Sequence, residues 1–176
     1  YYTRTPDSDK LLTLAEAQRI CNAGMQIYSI YEDANNYAGA FTTQNGLDDA
    51  EWAYDYARNT IGQSQTSVIY FAVDYPATLS DVNGCIKDYF TAVKSVFDSY
   101  SNYYRVGVYG SGLVCQKIFN EFGLAQRAFL AGATGWAGSS TYTETWNIIQ
   151  DYPSITIGGY NFDENISKTF YPGWSV

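Results

Sequence analysis

The run of residues 67–75, Ser-Val-Ile-Tyr-Phe-Ala-Val-Asp-Tyr, constrains the fold of this chain more than any other segment. It is apolar, β-branched and aromatic until it reaches Asp74. Such continuous runs are typical of strands buried on both faces of a parallel sheet. In parallel α/β architectures, functional groups collect at the carboxyl ends of the strands, where the loops face a common mouth. Asp74 is therefore the first candidate site residue.

Further strand-like runs occur along the chain, and helical patterns separate the earlier ones. Strands are predicted at 25–31, 104–109, 127–132, 145–150 and 155–162, with the end of another at Tyr1. Helices are predicted from Thr13 to Gly24, from Leu47 to Gly62, from Ser80, and from Leu113 to Phe122. This regular alternation predicts a parallel sheet.

Seven strands are one short of a (β/α)8 barrel, and the 176 residues of the chain are fewer than the roughly 200 to 250 usual for that fold. We therefore expect one domain over residues 1–176, an α/β TIM-like (β/α)8 barrel that lacks its first strand and helix in this chain. An open doubly wound sheet is the alternative, but the shortage of helices late in the chain argues against it.

The charge and the composition exclude several classes of protein. A net charge of −8 would repel nucleic-acid phosphates and anionic membranes, and no apolar run approaches the roughly 20 residues that span a bilayer. We expect no nucleic-acid partner and no membrane insertion. Histidine is absent, which excludes Ser-His-Asp and Cys-His machinery and leaves acid–base chemistry to Asp, Glu, Tyr or Lys.

Two further features are weak signals for a metal or a cofactor. Cys21, Cys85 and Cys115 lie far apart without CxxC spacing, so we expect either buried free thiols or one disulfide with an odd thiol, and no metal. The Gly110-Ser111-Gly112 turn matches neither GxxxxGK[ST] nor GxGxxG and is interpreted as a tight strand-to-helix turn. No cofactor is expected, although carboxylates at a barrel mouth could bind a hard cation such as calcium.

Five segments carry a resemblance to a known family when they are taken in order. They are 29–32 (SIYE), 69–74 (IYFAVD), 104–112 (YRVGVYGSG), 134–136 (TGW) and 146–150 (WNIIQ). They resemble the glycoside-hydrolase-like family catalogued as domain of unknown function 1906, a distant relative of the glycosyl hydrolase family 25 lysozymes. The resemblance implies a TIM-like barrel, an extracellular or secreted location near cell walls, and polysaccharide or peptidoglycan as the partner.

The chain departs from the lysozyme relatives in two places. In those relatives, an Asp on the first strand and an Asp-x-Glu on the fourth line the cleft. Asp74 matches the Asp of the second motif, but Pro76 stands where the glutamate is expected, and the strand ending in Gly-Phe-Asp is absent from this sequence. Residues 158–165 resemble the Asp-x-Asn region of the last strand, which implies that Asp163 lies at the same mouth.

Hydrolysis of a glycoside needs two carboxyl groups across the scissile bond. Glu32, Asp74 and Asp163 are the candidate catalytic residues because each follows a predicted strand. Glu32 is predicted to be the general acid, because desolvation by Tyr28 and Tyr31 would raise its pKa. Asp74 would then be the base or nucleophile.

The predicted sugar-binding residues are Tyr70, Tyr109, Trp136 and Gln150, because aromatic rings stack on sugars and an amide bonds their hydroxyls. Other interpretations stay open. The strand-end carboxylates could instead cap helices or pair with Arg4 or Arg105. The domain could bind glycan without cleaving it, or could be a structural component of an extracellular assembly in which another chain completes the barrel.

Overall fold

The computed structural model describes residues 1–5, 8–143, 145–168 and 173–176. One sheet of six strands, numbered in chain order, runs through these residues. The strands are β1 (Ser29–Tyr31), β2 (Val68–Ala72), β3 (Arg105–Gly110), β4 (Arg127–Leu130), β5 (Ile148–Ile157) and β6 (Tyr160–Ser167).

Neighbouring strands from β1 to β5 pair in parallel, and β6 pairs with β5 in the antiparallel direction. Tyr2 adds a parallel bridge to Tyr31 at the β1 edge, so the N-terminal segment acts as a seventh strand. The sheet is curled into a half-barrel. Its helix-facing side and its concave side carry separate apolar clusters.

The helices precede or connect the parallel strands. They are α1 (Leu14–Asn22), α2 (Thr43–Asp55), α3 (Leu79–Asp81), α4 (Lys87–Ser99) and α5 (Gly112–Cys115). Wider π-helical turns prolong α2 over Tyr56–Ile61 and α5 over Gln116–Glu121, and a third, Val82–Ile86, joins α3 to α4. Side-chain caps at Thr13, Thr42, Thr78 and Ser111 satisfy amide groups at the helix starts.

Strand β2 is buried on both faces, as its unbroken apolar sequence predicts. Phe71 packs on the helix side, with its ring centre 5.4 Å from Tyr31 and 5.8 Å from Phe97 of α4. Tyr70 faces the concave side, where it packs with Phe129 of β4 and Ile148 of β5. The strand that ends near Asp74 is therefore held rigidly from both sides.

The prediction of a TIM-like (β/α)8 barrel that lacks only its first strand and helix is wrong, because the sheet is a mixed half-barrel. Among the described residues between β4 and β5 there is no helix, and the chain reverses after β5 at Gly158-Gly159. Both glycines have positive φ, 60° and 87°, the backbone of a two-residue hairpin turn. The predicted strand 155–162 spans this turn. Because a hairpin returns the chain antiparallel, the βα alternation cannot continue past β5.

The three cysteines are free thiols, with Cys115 buried and Cys21 and Cys85 partly exposed. The free-thiol alternative is therefore the one observed. Burial raises the pKa of the Cys115 thiol, which keeps it protonated and unreactive. In the described parts of the chain, no helix is both long and apolar enough to cross a bilayer.

Gly107→Ala is expected to destabilise the sheet by about 2 kcal/mol, a typical cost of overpacking. A methyl group on Gly107 of β3 would overlap the ring of Tyr70, with two of its carbons at 2.8 Å. Chemical unfolding would measure the loss. Gly135→Ala is the matched control, because a methyl group there meets no atom within 4 Å and should change stability by less than about 0.5 kcal/mol. Equal stability of the two variants would contradict this account of β3.

Candidate functional site

A cleft of about 290 Å³ lies where the parallel strands end, and we call it the carboxylate cleft. It brings together six of the seven predicted site residues: Glu32, Asp74, Asp163, Tyr109, Trp136 and Gln150. The other lining residues are Tyr1, Lys10, Ile30, Ala72 and Ala133. Three carboxylates that are far apart in sequence therefore border one space.

Strand geometry explains why Glu32 and Asp74 line the same cleft. Tyr31 of β1 is in register with Phe71 of β2, so Glu32 emerges beside Ala72. Side chains alternate between the two faces of a strand, so Ile30 and Glu32 reach the cleft while Tyr31 points into the helix side. The Glu32 amide donates to the Tyr2 carbonyl at 2.9 Å, and the Asp74 amide donates to the Asn35 carbonyl at 3.0 Å.

Glu32 has a cation beside it. The Lys10 ammonium lies 3.5 Å from Glu32 Oε1, and the Glu32 side chain is 23% exposed. The aromatic pair predicted to desolvate Glu32 does not surround it, because Tyr31 lies on the other face and Tyr28 is not among the residues that line the cleft. Nothing in the sequence near Lys10 indicates this long-range ion pair.

Gln150 of β5 connects its own strand to three others at the cleft. Its Oε1 accepts hydrogen bonds from the Tyr109 hydroxyl of β3 and from the Gly132 amide after β4, both at 3.0 Å. Its Nε2 donates to Asp163 Oδ2 of β6 at 2.8 Å. Gln150 therefore holds the Asp163 carboxylate and the Tyr109 phenol in fixed positions.

Comparison with known proteins supplies the family. Residues 1–165 match the family model described as "Rv2525c-like, glycoside hydrolase-like domain". The chain belongs to this family. The family resemblance carried by the five sequence segments is therefore confirmed.

Relatives of this Rv2525c-like domain include two longer proteins of Bacillus subtilis strain 168. FadG is 32% identical over 163 residues, which are 90% of this chain and 28% of FadG. YbfG is 33% identical over 162 residues, 88% of this chain and 22% of YbfG. The chain thus spans about a quarter of the length of these curated relatives.

A solved structure shares the fold of this Rv2525c-like domain. It is the crystal structure of the Mycobacterium tuberculosis Tat-secreted protein Rv2525c in complex with HEPES. The TM-score is 0.76 at 20% sequence identity, with 97% of this chain and 83% of that one covered. The half-barrel is therefore an arrangement that both proteins adopt.

The loop that carries Trp136 is anchored to the start of α5 in this Rv2525c-like domain. The Leu113 amide donates to the Ala137 carbonyl at 2.8 Å, and a side chain on Gly112 would overlap the Gly138 carbonyl. The glycine at 112 thus permits close approach of the Trp136 loop. This contact gives Gly112 a packing role.

Tyr70 is the one predicted site residue that the structure does not bring to the cleft. It is 1% exposed and packs edge-on against Phe129, with the ring centres 5.7 Å apart. Tyr70 lies on the same face of the strand as Ala72 and Asp74, as alternation predicts. It lies one layer of side chains below the mouth of the cleft.

Two tyrosines that line the cleft have raised pKa values. Burial raises the pKa of Tyr109, and the charges of Asp74, Glu32 and Asp163 add to the rise. Burial and the same three carboxylates raise the pKa of the Tyr1 phenol. Both hydroxyls therefore stay protonated at neutral pH and remain hydrogen-bond donors.

Arg4 pairs with a different carboxylate from those at the cleft. Its guanidinium lies 2.7 Å from Asp49 of α2, which also accepts hydrogen bonds from the hydroxyls of Tyr31 and Tyr89, each at 2.8 Å. Burial raises the pKa of Asp49, although the hydrogen bonds and Arg4 oppose the rise. This buried network was not predicted; it fixes the residues after Tyr2 against α2.

A second space, of about 500 Å³, adjoins the cleft on the concave side of the sheet, and we call it the concave hollow. It shares Tyr1, Ile30, Tyr109, Gln150 and Asp163 with the cleft. Its remaining lining residues are Tyr28, Phe129, Ile148, Asn161, Phe162, Asn165 and Ser167.

Within the described residues, no cluster of three or more His, Cys, Asp or Glu side chains is arranged to hold a metal ion.

Proposed function

We propose that the carboxylate cleft hydrolyses glycosidic bonds in a cell-wall or extracellular polysaccharide such as peptidoglycan. The observation that carries the proposal is that Glu32 and Asp74 line one cleft together with Asp163, Tyr109 and Trp136. Membership of a glycoside hydrolase-like domain family supports a role on glycans.

In this proposal Glu32 and Asp74 form the carboxyl pair that flanks the scissile bond. One protonates the leaving oxygen, and the other is the base or nucleophile. Glu32 as the acid stays a prediction. Asp74 is exposed, and no side-chain hydrogen bond or ion pair holds its carboxylate among the described residues, so it can contact a substrate. Tyr109 and Trp136 would pack on the sugar.

The test is the release of reducing ends from a panel that contains peptidoglycan, chitin and neutral cell-wall glucans. Release of new reducing ends by the purified protein would support hydrolysis. Binding to one of these polymers in a pull-down, with no new reducing ends after prolonged incubation, would instead favour a domain that binds glycan without cleaving it. Two observations favour this second function: Pro76 stands in place of the expected glutamate, and Lys10 forms an ion pair with Glu32.

Gln150→Leu is expected to lower kcat/KM by about tenfold, mainly through KM. The substitution removes the hydrogen bond that Gln150 donates to the Asp163 carboxyl group, and a side-chain hydrogen bond is worth about 1 kcal/mol or more. Steady-state kinetics on the polymer that is cleaved would measure the change. Gln44→Leu, on the exposed start of α2, is the matched control and should keep wild-type values. An unchanged KM for Gln150→Leu would show that the contacts of Gln150 with Asp163 and Tyr109 do not contribute to substrate binding.

We further propose that the domain acts outside the cell and that another chain completes its half-barrel. The export of Rv2525c, which is described as Tat-secreted, supports the location. The partner is supported by β6, a sheet edge whose eight residues are all exposed and include Tyr160 and Phe162. Light scattering at micromolar concentration tests assembly with a second copy, and a strictly monomeric mass would exclude that form of completion.

A further inference from the structure

Asp163 is the third carboxylate of the cleft, and the proposed hydrolysis needs only two. It lies at the boundary between the carboxylate cleft and the concave hollow and lines both spaces. Glu32 and Asp74 line the cleft and not the hollow. Asp163 is therefore placed to contact a group of the substrate beside the reacting bond without taking part in the reaction.

One oxygen of the Asp163 carboxyl group is held in place and the other is available to a ligand. Oδ2 accepts the hydrogen bond from Gln150 Nε2 at 2.8 Å, and no side-chain hydrogen bond among the described residues reaches Oδ1. Asn161 and Asn165 face the hollow together with Asp163, because side chains alternate along β6. Asn165 Nδ2 donates to the Asp163 carbonyl at 3.1 Å, which leaves its own Oδ1 as an acceptor. This wall of the hollow thus offers acceptors to a ligand that carries donors.

The Asp163 carboxylate has no cation beside it. Across the described ranges of the chain it forms no ion pair, and no Lys or Arg lines the hollow. Lys10 lines the cleft, but its ammonium pairs with Glu32 at 3.5 Å. Three carboxylates and one ammonium therefore leave the two spaces with a net negative charge.

These surroundings select among sugars by charge. A sugar carboxylate or phosphate would meet Asp163 without a cation to pair with. A hydroxyl can donate to Asp163 but leaves its charge uncompensated, and an N-acetyl group presents a carbonyl oxygen to a wall of acceptors. A protonated amine supplies three donors and a positive charge, and hydrogen bonds between charged groups are about twice as strong as neutral ones.

We propose that Asp163 is a specificity-determining residue that binds the ammonium group of an unacetylated amino sugar where the cleft meets the hollow. This rests on the proposed function for the position of the reacting bond. It narrows the substrate class from any polysaccharide to glycans that carry a free amine beside the bond that is cleaved.

The test is calorimetric titration of the protein with two β-1,4-linked tetrasaccharides that differ only in acetylation, one of glucosamine and one of N-acetylglucosamine. The titrations are run at low salt and at pH 5.5, where the sugar amines are protonated. One hydrogen bond between charged groups should make the glucosamine tetramer bind about tenfold more tightly. Equal affinities for the two tetramers would overturn the proposal.

Two variants separate this contact from the general attraction of a chain of net charge −8 for a cationic oligosaccharide. Asp163→Asn removes the charge, while its amide oxygen can still accept from Gln150, and should reduce the preference to below about twofold. Glu164→Gln makes the same change of charge at the next residue of β6, which is exposed and lines neither space, so it should keep the tenfold preference. An equal loss in both variants, or no loss in Asp163→Asn, would overturn the proposal.

Binding and hydrolysis can fail separately in this design. A preference for the glucosamine tetramer that depends on Asp163, without release of reducing ends from any glycan, would keep the ammonium site and reject catalysis. Hydrolysis of a polymer with no preference for the free amine would keep the catalytic proposal and reject the ammonium site.

Discussion

Asp74→Asn is expected to lower the rate of glycan hydrolysis by about 10² to 10⁴-fold without loss of the fold. A positioned acid or base contributes about 10² to 10⁴ in rate, and the amide can neither take a proton nor attack a sugar carbon. Asp74 is exposed, so the substitution leaves no buried group unpaired. Initial rates on the cleaved polymer and thermal unfolding of the same sample would measure both quantities.

Glu32→Gln and a matched control complete this experiment. Glu32→Gln should lower the rate of polymer hydrolysis by a similar factor. If Glu32 is the acid, Glu32→Gln should keep much more of its activity on aryl glycosides, because their leaving groups need no protonation. Azide should restore activity to the variant that lacks the base or nucleophile. Asp88→Asn changes the charge equally at an exposed position of α4 and should keep full activity. Activity of Asp74→Asn within tenfold of wild type would remove Asp74 from the mechanism.

Asp49→Ala is expected to lower the free energy of unfolding by about 3 kcal/mol, because it leaves two buried hydroxyls without their acceptor and breaks the ion pair with the partly exposed Arg4. Asp49 accepts from Tyr31 and Tyr89 and pairs with Arg4 at 2.7 Å. Urea unfolding would measure the loss. Asp48→Ala is the control, because Asp48 is 45% exposed and lies 3.9 Å from Arg4. A loss below 1 kcal/mol for Asp49→Ala would show that the network contributes little.

The pH dependence of this pair follows from the direction of the Asp49 shift. Burial raises the pKa of Asp49 above its ordinary value of 3.8, so the folded state binds the proton more readily than the unfolded state does. The stability from this shift is fully present below 3.8 and is lost as pH rises through the folded-state pKa. The difference in unfolding free energy between wild type and Asp49→Ala should therefore be larger at pH 4 than at pH 7. A smaller difference at pH 4 would show that the pKa of Asp49 is lowered in the folded state.

Local sequence patterns located most of the cleft. The unbroken run 67–75 specified a strand buried on both faces, and parallel pairing then places the residues after β1 and β2 side by side. Tyr70 shows the limit of this reasoning, since alternation predicts the face of a side chain but not its depth below the mouth. Lys10 and Arg4 show another, because their partners Glu32 and Asp49 depend on contacts distant in sequence.

The barrel prediction is wrong at the end of the sheet, where residues 155–162 are predicted as one strand. Gly158-Gly159 lies between two runs rich in Ile, Tyr and Phe, which is a hairpin pattern. Burial is set by what covers a strand, and β6 is covered by nothing among the described residues, since all eight of its residues are exposed.

The strands that carry the three carboxylates of the cleft also differ in how strongly they resist local unfolding, because one of them belongs to the hairpin. Asp74 follows a strand that is paired on both sides, and Glu32 follows β1, which pairs with β2 and carries the Tyr2 bridge on its other side, whereas Asp163 lies on a strand that pairs with β5 alone. Local unfolding free energies are lowest where few contacts bury the backbone, so amide hydrogens of β6 should exchange with solvent long before those of β2. Asp163 can thus leave the cleft by a local opening of β6 that keeps Glu32 and Asp74 in place, and the hydrogen bond from Gln150 to Asp163 opposes that opening.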